Sequence, residues 1–234
     1  MKPWLGRRIL RRLLPKPVAL RLRQEWLARQ VASGKGHREG EIELLPQLVQ
    51  PHFVCWDIGA NTGTYTIALS RLAAKVIAFE PVPHSFATVR EVVALARLQN
   101  VELHALAMSN ARGRARFSVP SEGFYGGYYL ASFDAAGELE VETDTIDGLI
   151  ARGVPEPDFI KCDVEGAEKP VIDGARGLLA RRRPAWLLET FDPTVLPLME
   201  SFGYTTHVRN ADNTLKRVSA FDERSRNYIF LPLG

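Results

Sequence analysis

From residue 53 onward, short apolar runs alternate with longer stretches in which apolar side chains recur every three or four positions. The short runs are typical of buried strands, and the periodic stretches are typical of amphipathic helices. This alternation predicts an α/β fold whose sheet is mostly parallel. The predicted strands are 53–57, 76–80, 101–105, 115–119, 139–143, 159–163, 186–190, 205–209 and 228–231, and the predicted helices are 39–49, 63–72, 85–98, 167–179 and 194–202.

The N-terminal segment has a different pattern. On a helical projection its apolar side chains fall on one half and its arginines on the other: Leu5, Ile9, Leu10, Leu13 and Leu14 against Arg7, Arg8, Arg11 and Arg12. Pro15 and Pro17 are expected to end this helix. We therefore predict a basic amphipathic helical segment at 1–36, followed by one domain at 37–234.

Charge separates the same two parts of the chain. Residues 1–30 carry nine basic side chains and one acidic side chain, a net charge of +8. The whole chain has 30 basic and 27 acidic groups, so the remaining residues carry 21 and 26, a net charge of −5. A basic amphipathic helix fits an anionic membrane surface or an acidic partner, although its apolar face is equally suited to packing on the domain. DNA is not expected as a partner. RNA is the weakest alternative, because the basic residues are not interleaved with stacking aromatics.

Composition narrows the class of protein. The chain is 46% hydrophobic and 24% charged, as is usual for soluble globular proteins. Its two cysteines, Cys55 and Cys162, fall inside predicted strands and are interpreted as small buried apolar side chains in a reducing compartment. The sequence has no uncharged apolar run of about 18 residues, so it predicts no transmembrane helix. We expect a cytoplasmic protein, membrane-associated if its basic segment binds lipid.

A glycine-rich turn follows the first predicted strand, in the pattern D-x-G-x-N-x-G formed by Asp57, Gly59, Asn61 and Gly63. Glycines at such a turn let a ligand approach the backbone closely. An acid stands where a dinucleotide-binding turn has its first glycine, and it would repel a pyrophosphate. The turn therefore favours a cationic ligand, S-adenosylmethionine, over NAD, FAD or ATP. Glu80, at the tip of the second strand, is positioned to accept both ribose hydroxyls of an adenosine.

Three carboxylates follow the predicted strand 159–163, at Asp163, Glu165 and Glu168. Ligands of doubly wound sheets lie beyond the carboxyl ends of the strands, so Asp163 should share a crevice with Asp57. Asp163 and Glu165 are candidate catalytic bases for an alcohol acceptor, or alternatively ligands of a divalent cation, for which the spacing gives little support. Glu168 is assigned to the acceptor side, the alternative being stabilisation of a helix dipole.

Two histidines and one loop complete the candidate chemistry. His84 follows the second strand and is a third candidate base, while His37 could belong to a lid over the cofactor. Each is also easily explained as a surface histidine. The stretch 121–137 is rich in glycine and aromatic residues and predicts a long loop. Tyr125 and Tyr128 are its candidate acceptor-binding residues, because aromatic rings pack on sugar faces; the alternative is a flap packed on the domain.

Four short motifs occur in order along the chain: DIGANTG at 57–63, AFEPVP at 78–83, a T-x-D element at Thr145 and Asp147, and IKCDVEGAE at 160–168 followed by Gly174 and Ala175. Together they resemble the FkbM family of S-adenosylmethionine-dependent methyltransferases over about residues 39–192. The resemblance implies a class I methyltransferase (Rossmann-like) sheet with strand order 3-2-1-4-5-7-6 and one antiparallel C-terminal strand. It makes 37–234 a methyltransferase domain.

The resemblance also implies a reaction, methyl transfer to a hydroxyl of a sugar, a glycan or a secondary metabolite. Asp57, Gly59, Asn61 and Gly63 then correspond to the methionine-binding turn and Glu80 to the ribose ligand. Pro81 shapes the exit of that strand, Ala107 lies in the segment that lines adenine, and Asp163 faces the methyl-transfer site. Two alternatives stay open: an RNA methyltransferase that uses the basic segment, and a non-catalytic cofactor-binding protein of the same fold. Oligomeric state is not predicted.

Overall fold

The fold is an eight-stranded sheet and a smaller four-stranded sheet, surrounded by helices. The computed structural model describes residues 16–35, 39–118, 132–133, 136–222 and 224–233. The strands are β1 Val54–Ile58, β2 Lys75–Phe79, β3 Val101–His104, β4 Ala107–Met108, β5 Gly113–Ser118, β6 Ser132–Phe133, β7 Leu139–Asp144, β8 Phe159–Cys162, β9 Ala185–Glu189, β10 Tyr204–Arg209, β11 Leu215–Val218 and β12 Asn227–Pro232. The helices are α1 Lys16–Ala32, α2 Leu45–Leu48, α3 Thr64–Ser70, α4 Pro83–Leu95, α5 Ile146–Ala151, α6 Glu168–Asp173, α7 Arg176–Arg181 and α8 Val195–Ser201, with a 3₁₀ turn at Gly40–Leu44 before α2.

The large sheet has the order β3-β2-β1-β8-β9-β12-β10-β11. Its strands are parallel from β3 to β9, whereas β12 runs antiparallel to both β9 and β10. Seven of these strands reproduce the predicted order 3-2-1-4-5-7-6, so the predicted α/β class and the antiparallel C-terminal strand are confirmed. The eighth, β11, pairs antiparallel with β10 at the outer edge and was not predicted.

The small sheet has the order β4-β7-β5-β6 and stands beside the carboxyl end of β3. Its centre is the antiparallel pair of β5 and β7, in which Ala115 lies opposite Val141, as expected from the two predicted strands there. Most of the predicted loop 121–137 falls outside the described residues, and Tyr125 and Tyr128 fall outside with it. The same is true of His37 and of residues 1–15, the predicted basic helix.

Both faces of the large sheet are buried, which explains why its strands read as continuous apolar runs. One face, with Trp56, Ile160 and Trp186, packs against α5 to α8. The other face, with Cys55 and Phe159, packs against the 3₁₀ turn, α2 and α3. Both cysteines are buried and free, and burial raises the pKa of Cys55 to about 12. Across the described ranges, no helix combines the length and the apolarity that crossing a bilayer requires.

Two of the helices in the structure differ from the prediction. The predicted helix 167–179 is two helices, α6 and α7, that meet at Gly174. There the backbone approaches Ser109 so closely that a Cβ on Gly174 would lie 2.1 Å from the Ser109 carbonyl oxygen. The predicted helix 39–49 is a 3₁₀ turn followed by the four-residue α2, with Pro46 in the first turn of α2. Pro46 lacks the backbone N–H that a continuous α-helix would bond to the carbonyl oxygen of Ile42, so one continuous helix is not formed.

Within the predicted helical segment 1–36, a helix after Pro15 and Pro17 was not expected, because these prolines were interpreted as the end of a helix. Pro17 instead lies in the first turn of α1, where a backbone N–H would have no acceptor within the helix, so its absence costs no hydrogen bond. The helix packs on the domain through Ala28 and Val31, which contact Ile67 of α3 and Val92 of α4.

Candidate functional site

Three neighbouring strands end at one level of the sheet. Ile58, the last residue of β1, is paired with Phe79 of β2 and with Cys162 of β8, which are the last residues of those strands. The residues that follow are Gly59, Glu80 and Asp163, so the register alone brings the three predicted motifs together. The reversal of strand order between β1 and β8 opens a crevice at this edge, the place where open α/β sheets bind ligands.

The turn after β1 is tied to both neighbouring strands. The backbone N–H groups of Gly59 and Ala60 both donate to the carbonyl oxygen of Phe79, at 2.9 and 3.0 Å. Gly59 has a φ of +79°, and a Cβ there would lie 1.8 Å from the backbone oxygen of Asp163. Any other residue at position 59 would push the β1 turn and the β8 loop apart. The glycine therefore fixes their separation.

A cavity that is open to solvent lies above these strand ends; the space within it, including that solvent, is about 560 Å³. Residues from the β1 turn, the β2 exit and the β8 loop form its polar side, and the small sheet contributes an apolar side. The described residues of its wall are Ile58, Gly59, Asn61, Glu80, Pro81, Val82, Leu106, Ala107, Met108, Phe117, Asp163, Val164 and Glu165. The wall thus collects Gly59, Asn61, Glu80, Pro81, Ala107, Asp163 and Glu165 from among the predicted site residues.

Glu80 is held rigidly at the cavity wall. Its Oε2 accepts a hydrogen bond from the backbone N–H of Asn61 at 2.8 Å, and its Oε1 accepts one from that of Val82 at 2.9 Å. Burial raises the pKa of Glu80 from its ordinary value to about 7, while the two N–H donors oppose the rise. An ionised carboxylate accepts about four hydrogen bonds, so each oxygen keeps a position for a ligand hydroxyl.

Asp57 and Gly63 lie behind the cavity wall. Asp57 is 1% exposed, and its Oδ2 accepts a hydrogen bond from the Thr66 hydroxyl of α3 at 2.5 Å. Burial raises the pKa of Asp57 to about 6, and the Thr66 hydroxyl opposes the rise. Gly63 has a φ of +86°, and a Cβ there would lie 2.9 Å from Val89 of α4. Its observed contact is with a neighbouring helix.

Sequence reasoning missed Lys161, which lies in β8 directly opposite Asp57. Its side chain is 2% exposed, with Nζ 3.3 Å from Oδ2 of Asp163 and 4.7 Å from the centre of the Tyr65 ring. Burial alone would lower the pKa of Lys161, but the carboxylates around it, led by Asp163, raise it above its ordinary value. The available signal was a lysine inside an otherwise apolar run, since buried lysines are found paired.

Glu189 is a second residue that the sequence reasoning missed. It ends β9, the strand next to β8, and burial raises its pKa to about 7 with Asp163 as the next cause. Two positions earlier in β9, Leu187 lies opposite Lys161, so Glu189 continues the same face of the sheet. An acid at the tip of a strand was the signal, as at Asp57 and Glu80.

A family model for the methyltransferase FkbM domain matches residues 57–206, more than half of the chain. The chain belongs to the FkbM methyltransferase family. The matched region begins at Asp57 and contains the whole polar side of the cavity.

Two curated relatives have names that state an activity. Hexuronic acid methyltransferase AglP of Haloferax volcanii is 33% identical over 139 residues, covering 59% of this chain and 56% of AglP. The 2-O-methyltransferase NoeI of Sinorhizobium fredii is 30% identical over 186 residues, covering 70% of this chain and 73% of NoeI. This chain therefore spans little more than half of AglP.

A solved FkbM methyltransferase from Methylobacillus flagellatus KT has the same fold. It superposes with a TM-score of 0.54 at 16% identity, covering 78% of this chain and 44% of that protein. At this identity the likeness concerns the fold alone.

Two motif elements of this FkbM protein hold the framework together. The carboxylate of Asp147 accepts hydrogen bonds from the backbone N–H groups of Gly177 at 2.6 Å and Leu178 at 2.8 Å, which joins α5 to the start of α7. Thr145 caps α5 by accepting from the N–H of Gly148 at 2.8 Å. The T-x-D element is therefore structural here.

The remaining predicted acids lie in the β8 loop and at the start of α6. Glu165 lines the cavity, and burial together with the charge of Asp163 raises its pKa. Glu168 is 2% exposed, and its carboxylate accepts hydrogen bonds from the N–H of Gly166 at 2.9 Å and the Thr190 hydroxyl at 3.5 Å. Glu168 thus shapes the loop that carries Asp163 and Glu165.

His84 stands apart from the described cavity wall, in the first turn of α4. Its backbone oxygen accepts a hydrogen bond from Gln24 of α1 at 3.2 Å, and burial lowers the pKa of its ring. The structure does not bring it together with Asp163 and Glu165 in that wall. Within the described ranges, no group of three or more His, Cys, Asp or Glu side chains is arranged to hold a metal ion.

Proposed function

We propose that this protein is an S-adenosylmethionine-dependent O-methyltransferase whose acceptor is a hydroxyl of a sugar or glycan. One observation carries the proposal: Gly59, Glu80 and Asp163 meet at a single cavity, on adjacent strands that end at the same level. The relatives support the acceptor class, since AglP is named for a hexuronic acid and NoeI for transfer to an oxygen.

The cavity residues suit the proposed cofactor. Glu80 has hydrogen-bonding positions for two ribose hydroxyls, and Leu106, Met108 and Phe117 offer an apolar wall for a flat base. The side-chain Oδ1 of Asn61 is buried and accepts no hydrogen bond from any described residue, so it is an available acceptor for an ammonium group.

Charge also favours this cofactor over phosphate-bearing ligands. The cavity wall contains Glu80, Asp163 and Glu165, and Asp57 lies behind it. A phosphate among these carboxylates would be repelled, whereas a cationic amino acid moiety would be attracted. In this proposal Asp57 contributes through its charge, from behind the turn.

When bound, S-adenosylmethionine supplies an electrophilic methyl group on a positively charged sulfur. The residues of the chain have two tasks: to hold the acceptor oxygen in line with that carbon and to receive the proton that it loses. Asp163 and Glu165 line the same cavity and are the proposed proton acceptors. Burial and the charge of Asp163 raise the pKa of Glu165 above its ordinary value, which makes its carboxylate a stronger base.

The experiment has a binding step and a transfer step. Calorimetry measures the affinity for S-adenosylhomocysteine, and mass spectrometry then measures methyl transfer to glucuronate-containing oligosaccharides and to matched glucose oligosaccharides. Asp163→Asn should keep cofactor affinity and lose turnover, whereas Glu80→Gln should lose affinity. The matched control is Glu140→Gln, because Glu140 lies on exposed β7 surface and pairs with Arg114.

The outcomes separate the alternatives. Cofactor binding without transfer to any hydroxylated acceptor would favour a non-catalytic protein of this fold. Transfer to RNA but not to sugars would favour the RNA methyltransferase. If the wild-type protein binds no S-adenosylhomocysteine at saturating concentration, the proposal fails.

A further inference from the structure

Helix α1 has two apolar faces, of which the domain covers one. Gln24, Ala28 and Val31 face the domain, with Ala28 and Val31 buried. On the opposite side lie three apolar residues four positions apart: Val18, Leu22 and Trp26 are 44, 51 and 47% exposed. Side chains four positions apart line one face of a helix, so these three form a single stripe about 12 Å long.

Two exposed arginines lie beside this stripe. Arg21 and Arg29 of α1 are exposed beside it, and Arg21 pairs with Glu25 at 3.2 Å. Residues 1–30 as a whole carry a net charge of +8, whereas the rest of the chain carries −5. The apolar stripe therefore belongs to the strongly basic part of an otherwise acidic chain.

We propose that α1 docks on an anionic lipid surface. Val18, Leu22 and Trp26 enter the boundary between headgroups and acyl chains, and Arg21 and Arg29 contact lipid phosphates. Tryptophan is enriched at this boundary, where its ring is half in an apolar and half in a polar environment. A helix with an apolar stripe and basic flanks is the usual form of such an interfacial element.

Lipid fits this surface better than the other occupants. A stable protein interface buries about 800 Å² on each partner, far more than three half-exposed side chains on one helix provide. A nucleic acid would match the charge but would leave the aliphatic residues Val18 and Leu22 in water. A membrane needs only a small apolar contact, because each basic side chain near an anionic bilayer strengthens binding about fivefold.

The test is co-sedimentation of the full chain with vesicles. One set contains phosphatidylserine in phosphatidylcholine, and the other contains phosphatidylcholine alone. We expect the wild-type protein to sediment with the anionic vesicles and to stay in solution with the neutral ones. The double variant Leu22→Ser, Trp26→Ser should bind the anionic vesicles at least about tenfold more weakly, because both side chains lose their apolar contact. Arg29→Gln should weaken binding about fivefold.

A matched control separates the stripe from general surface hydrophobicity. Leu233 is 49% exposed and far along the chain from α1, so Leu233→Ser should behave like the wild type: it should sediment with the anionic vesicles and stay in solution with the neutral ones. Unchanged melting temperatures will show that all variants are folded. The proposal is overturned if the double variant binds anionic vesicles like the wild type, or if the wild type binds neither set. It is also overturned if the wild type is a dimer without vesicles and the double variant is a monomer, since the stripe would then join two copies.

Discussion

Nζ of Lys161 lies 3.3 Å from Oδ2 of Asp163, and the two residues are two positions apart at the end of β8. In an extended chain this spacing places both side chains on one face, the face that also carries Asp57 and Glu189. One buried cation thus stands among several carboxylates. It holds the side chain of Asp163 beside the cavity and balances the negative charge of the strand ends.

Replacing Lys161 by methionine should be strongly destabilising. The variant Lys161→Met keeps most of the side-chain volume but leaves the buried carboxylates without their cation, a loss of about 3 kcal/mol in unfolding free energy. Urea unfolding measures it. The control is Lys169→Met, which breaks the Lys169–Asp173 pair, where the lysine side chain is 48% exposed. That pair should be worth at most about 0.5 kcal/mol. Equal losses in the two variants would contradict the role of Lys161.

The close approach at Gly59 predicts a second difference. Gly59→Ala adds a Cβ that would lie 1.8 Å from the Asp163 carbonyl oxygen. Gly153→Ala is the matched control, because Gly153 also has a positive φ, +93°, but nothing within 4 Å of an added Cβ. Both variants share a backbone strain of about 1 kcal/mol. Only Gly59→Ala should lose S-adenosylhomocysteine affinity, as measured by calorimetry. Full affinity in that variant would show that the turn and the β8 loop separate freely.

Stability should depend on pH through Glu80. Its pKa is about 7 in the folded protein against an ordinary value of 4.5, so the folded state binds the proton more tightly than the unfolded state. The contribution of Glu80 to stability therefore falls as pH rises from about 4.5 to about 7 and is constant above that. Glu80→Gln removes this dependence.

Unfolding free energies of the wild type and Glu80→Gln, measured from pH 5 to pH 8, should diverge in favour of the variant by up to about 3 kcal/mol. Glu140→Gln, at an exposed position, controls for the loss of one negative charge. A constant difference between wild type and Glu80→Gln across this range would contradict the raised pKa.

Two buried threonines offer a matched pair of substitutions. Thr66 donates its hydroxyl to the buried carboxylate of Asp57, whereas the hydroxyl of Thr206 bonds to no residue that the structure describes. Thr66→Val should destabilise the protein by about 1–3 kcal/mol, because it leaves the carboxylate with one donor fewer. Thr206→Val should be neutral or stabilising, because it removes a buried hydroxyl that lacks a partner. Thermal unfolding compares the two, and the reverse order would contradict this account of Asp57.

Local pattern was sufficient to predict most of the large sheet. The apolar runs around Cys55, Val76 and Phe159 are buried on both faces, and such runs are visible in sequence. Strand β11 was missed because Lys216 and Arg217 occupy its centre and, among the described strands, it pairs with β10 alone. A polar edge strand forms because it pairs with a neighbouring strand, and the local sequence pattern does not contain that pairing.

The site was predictable where its residues follow strands directly. Glu80 and Asp163 could be found because parallel strands end at one edge, so that strand ends in sequence become neighbours in space. Whether Lys161 and Glu189 belong to the site depends on which face of β8 and β9 packs against α3. It also depends on how far each side chain lies from Asp163. The break at Gly174 likewise depends on Ser109, 65 positions earlier in the chain. These relations arise only in the folded protein.

Because of the contact between Gly59 and the main chain of Asp163, two properties of the cavity are set by different atoms: its width and its chemical lining. Backbone atoms, and not side chains, set the spacing between the β1 turn and the β8 loop, which form two sides of the cavity. Substitutions of the side chains that line the cavity can therefore change which ligands fit while the spacing between the β1 turn and the β8 loop stays the same. A scaffold built in this way can broaden its chemistry by changing only the side chains that line the cavity.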